Sequence, residues 1–160
     1  MKKTLLFALA FALLFLPACH AKSYRNDLST EQLAQIGAEA AAMEEPQIAD
    51  AETLAEITGT ENPLPDMTVC YSANGNSLDE IGIWRTEGNA GKTIVPILRA
   101  YLEKTYENNR AYYDSYIPEE TPKLRDAEVR VYGSYVVYAV LSAESRASFF
   151  GAIEKELSVV

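Results

Sequence analysis

EVRVYGSYVVYAVL, residues 128–141, is the stretch that decides the fold of this 160-residue chain. Val129 and Val131 alternate with polar residues, which is typical of a strand with one covered face. Gly133-Ser134 then predicts a two-residue hairpin turn, because glycine at the first turn position suits type II′ geometry. Residues 135–141 form a more continuous apolar run, so the second strand is predicted to be central and covered on both faces.

A second hairpin is predicted upstream of the first. Residues 67–72 alternate in period two, and the sequence Ala-Asn-Gly-Asn at residues 73–76 supplies turn chemistry because Asn and Gly tolerate positive φ. The next strand spans about residues 80–85. Ile81 and Ile83 are expected on one face of it, and the opposite face carries Glu80, Gly82 and Trp84.

Two helices are predicted before these strands. Ser29 and Gln32 have the spacing of a capping box, and the helix after them has an inward stripe of Leu33, Ile36, Ala40 and Met43. Pro46 is expected to end that helix. A shorter helix is expected to begin at Asp50 and to stop at Gly59.

A long helix is predicted between the two hairpins, from about Thr93 to Tyr113. A start near Thr93 places Pro96 in the first turn, where proline is tolerated, and the alternative is a helix that bends at Pro96. Its inward stripe is Ile94, Leu98, Tyr101, Leu102 and Thr105. Residues 114–122 are predicted as a loop, and Ser142 is predicted to cap the last helix. The order α-α-β-β-α-β-β-α indicates an α+β domain with a largely antiparallel four-stranded sheet.

The N-terminus has the pattern of an export signal. Two lysines precede an apolar run over residues 5–16, and the small residue Ala18 precedes Cys19. This arrangement resembles the lipobox of bacterial lipoproteins, which implies a signal peptide over residues 1–18 and a lipid on Cys19. The alternatives are an ordinary signal peptide or a membrane-spanning anchor, but an apolar run of about 12 residues is short of the about 20 that a spanning helix needs.

The expected mature chain is therefore anchored at the extracytoplasmic face of the cell membrane by lipid on Cys19. Residues 19–27 are predicted to be a polar tether, and residues 28–160 a single domain. The formal net charge of −9 becomes −11 when the signal peptide and its two lysines are removed. Residues 26–84 contain twelve acidic residues and no Lys or Arg.

This charge distribution excludes one class of partner. A nucleic-acid role requires a basic surface, and the sequence contains none, so no nucleic acid is expected as a partner. The acidic half could attract cations or basic peptides. The alternative is that these carboxylates only keep the surface solvated.

The inventory of reactive side chains argues against most kinds of catalysis. The only histidine is His20, beside the proposed lipid anchor, so triads and zinc sites built on histidine are excluded from the domain. Cys70 is left without a disulfide partner and lies in an apolar strand. Residues 88–93 end in Gly-Lys-Thr but lack the glycine spacing of a P-loop. No metal and no cofactor are expected.

Carboxylates and tyrosines leave two alternatives open. The doublets Asp79-Glu80 and Glu119-Glu120 are the places where a glycosidase-type carboxylate pair could arise, although neighbours on a strand point to opposite faces. Tyr106 and Tyr113 share a second stripe of the long helix. If that stripe is exposed, it would suit sugar rings or a partner peptide; otherwise the rings cover the sheet edge and the loop.

Three segments resemble a known family. Residues 79–85 (DEIGIWR), 116–120 (YIPEE) and 132–137 (YGSYVV), together with the lipobox, resemble an uncharacterised family of small lipoproteins in Gram-positive bacteria, a domain of unknown function. The resemblance covers about residues 65–158 and departs from the family pattern at Arg85 and Pro96. It implies the localisation and the fold of the protein, and it implies no activity.

The leading hypothesis is a non-enzymatic lipoprotein that binds an envelope protein or a cell-wall ligand. Its candidate binding residues are Glu80, Trp84, Arg85, Tyr116 and Glu119. One alternative is a carboxylate-based hydrolase acting on cell-wall glycans, which requires two facing carboxylates, one of them with a raised pKa. Another is an assembly factor for an envelope complex, which requires an exposed apolar patch.

Overall fold

The computed structural model describes residues 22–59, 66–87 and 90–159, so the predicted signal peptide, Cys19 and His20 lie outside the described residues. The chain is an α+β protein, as predicted. In chain order the elements are α1 (Thr30–Ala40), β1 (Pro46–Ile48), α2 (Ala51–Thr58), β2 (Met67–Ser72), β3 (Glu80–Arg85), α3 (Ala90–Tyr116), α4 (Thr121–Arg125), β4 (Glu128–Tyr132), β5 (Tyr135–Val140) and α5 (Ala143–Leu157).

The sheet has five antiparallel strands in the order β1-β2-β3-β5-β4, so the prediction of four strands was one short. The missed strand, β1, has three residues, all exposed, and it pairs with β2 from Pro46 opposite Ser72 to Ile48 opposite Cys70. Proline is tolerated here because the strand lies at the sheet edge and Pro46 is its first residue. The proline that was expected only to end a helix thus begins a strand.

Strand β5 is central and covered on both faces, which confirms the prediction for residues 135–141. Its side chains alternate between two cores. Tyr135, Val137 and Ala139 belong to the first core, which α1 and α5 cover. On the other face, α2, α3 and α4 lie over the second core, to which β5 contributes Val136, Tyr138 and Val140.

Most of the predicted local signals are present. Ser29 and Gln32 form the capping box, Asp50 caps α2 by accepting a hydrogen bond from the Thr53 amide, and Ser142 caps α5. Gly59 ends α2 at a φ of 66°. Gly133 has a φ of 61° in the β4–β5 turn, as a type II′ turn requires at its first central position.

Two helical segments differ from the prediction. Helix α3 begins at Ala90, so Pro96 lies inside it, and α3 continues to Tyr116. The predicted loop over residues 114–122 therefore contains the end of α3 and the start of α4. Pro122 is tolerated in α4 because the first turn of a helix does not need the missing N–H.

The buried stripe of α1 is rotated from the predicted one. Leu33 and Met43 are buried as expected, whereas Ile36 and Ala40 are only partly buried. The other buried positions are Ala34, Gly37, Ala38 and Ala41. A Cβ atom on Gly37 would lie 2.4 Å from Cε2 of Phe149. The small residues therefore face inward because they let the backbone of α1 approach the Phe149 ring of α5.

Residues 22–28, called here the N-terminal segment, lie against the domain. The Arg25 amide donates a hydrogen bond to the Leu157 carbonyl at 2.8 Å, and the Tyr24 ring meets Tyr132 edge to face at 5.5 Å. The hydroxyl of Tyr135 donates to the Leu28 carbonyl at 2.6 Å. The part of the predicted tether that the structure describes is therefore fixed to the end of the sheet where β5 begins.

Candidate functional site

Glu80, the first residue of β3, is the centre of a buried polar cluster on the second-core face of the sheet. The hydroxyl of Tyr101, from α3, lies 3.1 Å from each carboxylate oxygen of Glu80. The hydroxyl of Tyr138, from β5, donates a hydrogen bond to Oε1 of the same carboxylate. Three elements thus converge on one carboxyl group.

Gly82 makes room for this cluster. It pairs directly with Tyr138 across β3 and β5, and a Cβ atom at Gly82 would lie 2.1 Å from Cε1 of Tyr138 and 2.4 Å from Cζ3 of Trp84. The Tyr138 ring therefore lies over the glycine, with its centroid 5.5 Å from that of Trp84. This position directs the Tyr138 hydroxyl toward Glu80, two residues before Gly82 on the same face of β3.

The environment of Glu80 favours its neutral form. Burial raises the pKa of Glu80 and the negative charge of Glu56 adds to this effect, although the hydrogen bonds from the two tyrosines oppose it. Burial and the neighbouring Glu80 also raise the pKa of Tyr101 and of Tyr138, so both hydroxyls stay protonated and act as donors. Glu80 and its tyrosines therefore form a cluster whose charge depends on one carboxyl group.

An ion-pair cluster lies beside Glu80 and joins α4 to the β2–β3 loop. Lys123 contacts Oδ1 of Asp79 at 2.7 Å and Oε2 of Glu120 at 2.8 Å. The same Glu120 oxygen accepts a hydrogen bond from the Leu78 amide at 2.8 Å. Burial alone would lower the pKa of Lys123, but the hydrogen bonds to both carboxylates raise it, so the lysine is held as a cation.

A cavity of about 380 Å³, called here the Glu80 cavity, opens at this end of the sheet. Its lining combines three tyrosines, several hydroxyls, two carboxylates and an aliphatic base: Thr53, Tyr71, Ser72, Ser77, Leu78, Asp79, Glu80, Tyr101, Leu102, Thr105, Tyr113, Leu124 and Val140. Such a mixture of apolar wall and a few polar groups is typical of small-molecule sites. A neighbouring cavity of about 500 Å³ between α2 and α3 shares Tyr101 and Tyr113 and includes Glu56.

The structure does not bring the five predicted binding residues into one site. Glu80 lines the Glu80 cavity, and Trp84 is 1% exposed in the second core beneath it. Arg85 lies at the far end of β3, where it pairs with Asp66. Tyr116 is 71% exposed and stacks on Tyr112 with centroids 4.7 Å apart, and Glu119 is exposed on the connection to α4.

Sequence reasoning missed Tyr101, Tyr138 and Lys123 as partners of this site, and it chose Glu119 of a doublet whose other member, Glu120, makes the contacts. One signal was available in the sequence. Glycine inside a strand often marks a place where another group approaches closely, and Gly82 stands between Glu80 and Trp84. The second tyrosine stripe of α3, Tyr106 and Tyr113, packs against the second core, so these rings cover the sheet and do not form an exposed platform.

Cys70 lies on a different groove and is not activated. The groove, about 640 Å³ between α1 and β1, has Cys70 on its wall, but the residue is 5% exposed. Burial raises the pKa of its thiol, which disfavours the nucleophilic thiolate. Cys70 therefore acts as a small buried side chain, as the sequence predicted.

In residues 22–59, 66–87 and 90–159, no group of three or more His, Cys, Asp and Glu side chains is arranged to hold a metal ion. Over the same ranges, no helix has both the length and the apolar character needed to cross a membrane.

We expect Glu80→Gln to change how stability depends on pH. Because the pKa of Glu80 is raised in the folded state, its contribution to stability is full below the unfolded pKa and is lost as pH rises through the folded pKa. Glutamine stays neutral, so the stability of the variant relative to the wild type should increase as pH rises, by more than the about 0.5 kcal/mol that is usual for a surface substitution. Urea denaturation at about pH 4 and about pH 8 measures this gain.

The matched control is Glu107→Gln, which removes the same charge from an exposed position on α3. Its difference from the wild type should stay within about 0.5 kcal/mol at both pH values, as is usual for surface substitutions. A Glu80→Gln variant that loses stability relative to the wild type as pH rises would contradict the assignment of Glu80 as a carboxyl group destabilised by burial.

Comparison with known proteins identifies one related family. A family model described as a domain of unknown function (DUF4358) matches residues 39–141. The matched range contains every residue that lines the Glu80 cavity. No curated protein and no solved structure matches the chain.

Proposed function

The chain belongs to the DUF4358 family, a domain of unknown function, and we propose that it is a lipid-anchored, extracytoplasmic binding module with no catalytic activity of its own. Its anchor is the lipid on Cys19, and its binding site is the Glu80 cavity. The ligand comes from the cell envelope, either as a cell-wall fragment or as a group carried by an envelope protein.

The observation that carries this proposal is that the N-terminal segment and the Glu80 cavity lie at opposite ends of β3. At one end, Arg85 donates hydrogen bonds to the carbonyls of Asn26 and Leu28 at 3.1 and 3.2 Å. At the other end, Glu80 opens the strand beside the cavity. Five steps along a strand separate the two ends by about 17 Å.

The docked N-terminal segment leaves little chain between the domain and the lipid. Lys22 already forms an ion pair with Glu154 on α5, and only three peptide units connect it to Cys19. Three residues span at most about 11 Å. A diacyl anchor on Cys19 would therefore hold this end of the domain near the bilayer, with the Glu80 cavity directed toward the envelope.

The proposal is tested by photo-crosslinking in intact cells. A photoreactive amino acid replaces Ser77 on the lining of the Glu80 cavity, and in a control chain it replaces the exposed Glu107 on α3. We expect defined adducts from position 77 that soluble cell-wall fragments or excess purified protein reduce, and no such adducts from position 107. Identical adduct patterns at the two positions would argue against a binding site at the cavity.

One observation favours a second candidate function, a carboxylate-based glycan hydrolase. The pKa of Glu80 is raised by burial, as a general acid requires, and the charge of Glu56 acts on Glu80 from the neighbouring cavity. Under this alternative, Glu80→Gln and Glu56→Gln should each abolish cleavage of cell-wall glycan by the purified protein. Wild-type protein that leaves the glycan chain length unchanged would exclude it.

A further inference from the structure

The Glu80 carboxyl group has room for a ligand because protein donors use only part of its hydrogen-bonding capacity. An ionised carboxylate offers about four lone-pair sites. Tyr138 donates to Oε1, and the Tyr101 hydroxyl is shared at 3.1 Å between both oxygens. Part of the residue still borders the Glu80 cavity. A donor entering the cavity could therefore bind the remaining side of Oε2.

The side chains around the cavity carry an excess of negative charge. Across residues 22–59, 66–87 and 90–159, Glu80 forms no ion pair with a Lys or Arg side chain. Lys123, the cation of the neighbouring cluster, is shared between Asp79 and Glu120. Glu56 adds a further negative charge from the α2 side. Such a lining repels anions and concentrates cations.

The walls of the cavity suit an organic cation better than a metal ion. Tyr71, Tyr101 and Tyr113 all line the cavity. The face of an aromatic ring attracts a cation that lies within about 6 Å of its centroid, and groups of such rings recognise ammonium ligands. Hard metal ions instead require several oxygen ligands at short range. In the described residues, no group of three acidic or metal-ligating side chains has that arrangement.

Resting on the proposed binding function, we propose that the Glu80 cavity binds a small organic cation through its ammonium head group. The head group lies against Glu80 and the tyrosine rings, and the rest of the ligand occupies the side lined by Ser72 and Ser77. A volume of about 380 Å³ is near the lower end of the range for ligand pockets, so the cavity has room for the ammonium-bearing end of a cell-wall fragment or of a group on an envelope protein.

Binding should be linked to the protonation of Glu80. Because burial raises the pKa of Glu80, binding of a cation stabilises the carboxylate and releases a proton when the empty site is protonated. The titratable groups around Glu80 come from every element packed against it: Tyr71 on β2, Tyr101 and Tyr113 on α3, Tyr138 on β5, Glu56 on α2, and the neighbouring Asp79, whose ion pair with Lys123 also includes Glu120. Affinity for a cation of fixed charge should therefore rise with pH.

The test is calorimetric titration of the full-length lipid-anchored protein in detergent with three probes. Choline carries a quaternary ammonium group, ethanolamine carries a primary one, and 3,3-dimethyl-1-butanol is the neutral carbon analogue of choline. We expect at least one of the two cations to bind about tenfold or more tightly than the neutral alcohol, a difference that a desolvated cation–ring contact and a charge-assisted hydrogen bond are strong enough to supply. The affinity for the bound cation should rise with pH over the range in which the charge of that cation is fixed.

Two variants and one matched control connect the binding to the site. Glu80→Gln should lower the affinity for the bound cation about tenfold and remove its dependence on pH. Glu107→Gln, with the same loss of charge on the exposed face of α3, should leave both unchanged. Tyr113→Leu, which removes one aromatic wall of the cavity, is a second test if Glu80→Gln does not fold. It should lower the affinity for the cation more than the affinity for the alcohol.

Equal affinity for the cations and the neutral alcohol, or no binding of either cation, would overturn the cation site. So would a folded Glu80→Gln variant with unchanged cation affinity. These results would not contradict the proposed binding function, which the crosslinking at position 77 tests separately, because that experiment does not depend on the charge of the ligand. Failure of the cation site and failure of the binding module are thus seen separately.

Discussion

Gly82→Ala should lower the free energy of unfolding by about 3 kcal/mol, near the upper end of the usual cost of overpacking a core. The reason is steric, because the new methyl group would meet the Tyr138 ring at 2.1 Å and the Trp84 ring at 2.4 Å. Both rings are buried in the second core and have little room to move. Urea denaturation monitored by the fluorescence of Trp84 measures the loss.

The matched control is Gly151→Ala on the exposed face of α5, where a Cβ atom meets nothing within 4 Å. That change should stabilise the protein by about 0.5–1 kcal/mol, because alanine is the better helix former. A Gly82→Ala variant as stable as the wild type would show that Tyr138 does not occupy the space above Gly82. The hydrogen bond from Tyr138 to Glu80 would then lose its structural basis.

Cys19→Ala should remove the protein from the membrane fraction, with a fall of about tenfold or more in the bound amount, because stable anchoring requires the two acyl chains of a lipid group. The thiol that would carry the lipid is absent in the variant. Cell fractionation measures the distribution, and intact mass of the wild-type protein should show a lipid-modified chain that begins at Cys19.

The other cysteine supplies the control. Cys70 is buried in the first core, so Cys70→Ala removes a thiol without touching the proposed anchor. This variant should fractionate with the membrane like the wild type. If Cys19→Ala stays in the membrane fraction and the wild-type mass shows no lipid, the anchor proposal is wrong, and with it the orientation proposed for the Glu80 cavity.

The central part of the fold could be predicted from sequence because strand periodicity is a local signal. The alternation around Ile81 and Ile83, and the continuous apolar run of β5, correspond directly to a sheet between two cores. Strand β1 could not be found in this way. It has three exposed residues and depends on pairing with β2, which is a tertiary contact with almost no periodic pattern of its own.

The candidate site was predicted only in part, since it depends on contacts between distant elements. Glu80, one of the predicted binding residues, lines the cavity, but Arg85 lies five residues away on the same strand and therefore on the opposite face and at the opposite end. Tyr101 and Tyr138 approach Glu80 from α3 and β5, 21 and 58 residues away in sequence. No short sequence motif indicates that these three side chains meet.

Fluorescence quenching from the bilayer surface measures whether a lipid on Cys19 holds the Glu80 cavity away from the membrane. The lipid-anchored protein is placed in vesicles with a quencher on the lipid head groups. A fluorophore is attached at Ser77→Cys near the cavity or at Ser134→Cys in the β4–β5 turn, with buried Cys70 left unlabelled. We expect strong quenching at position 134 and weak quenching at position 77. Equal quenching at the two positions, or stronger quenching at position 77, would show that the Glu80 cavity is not held away from the membrane.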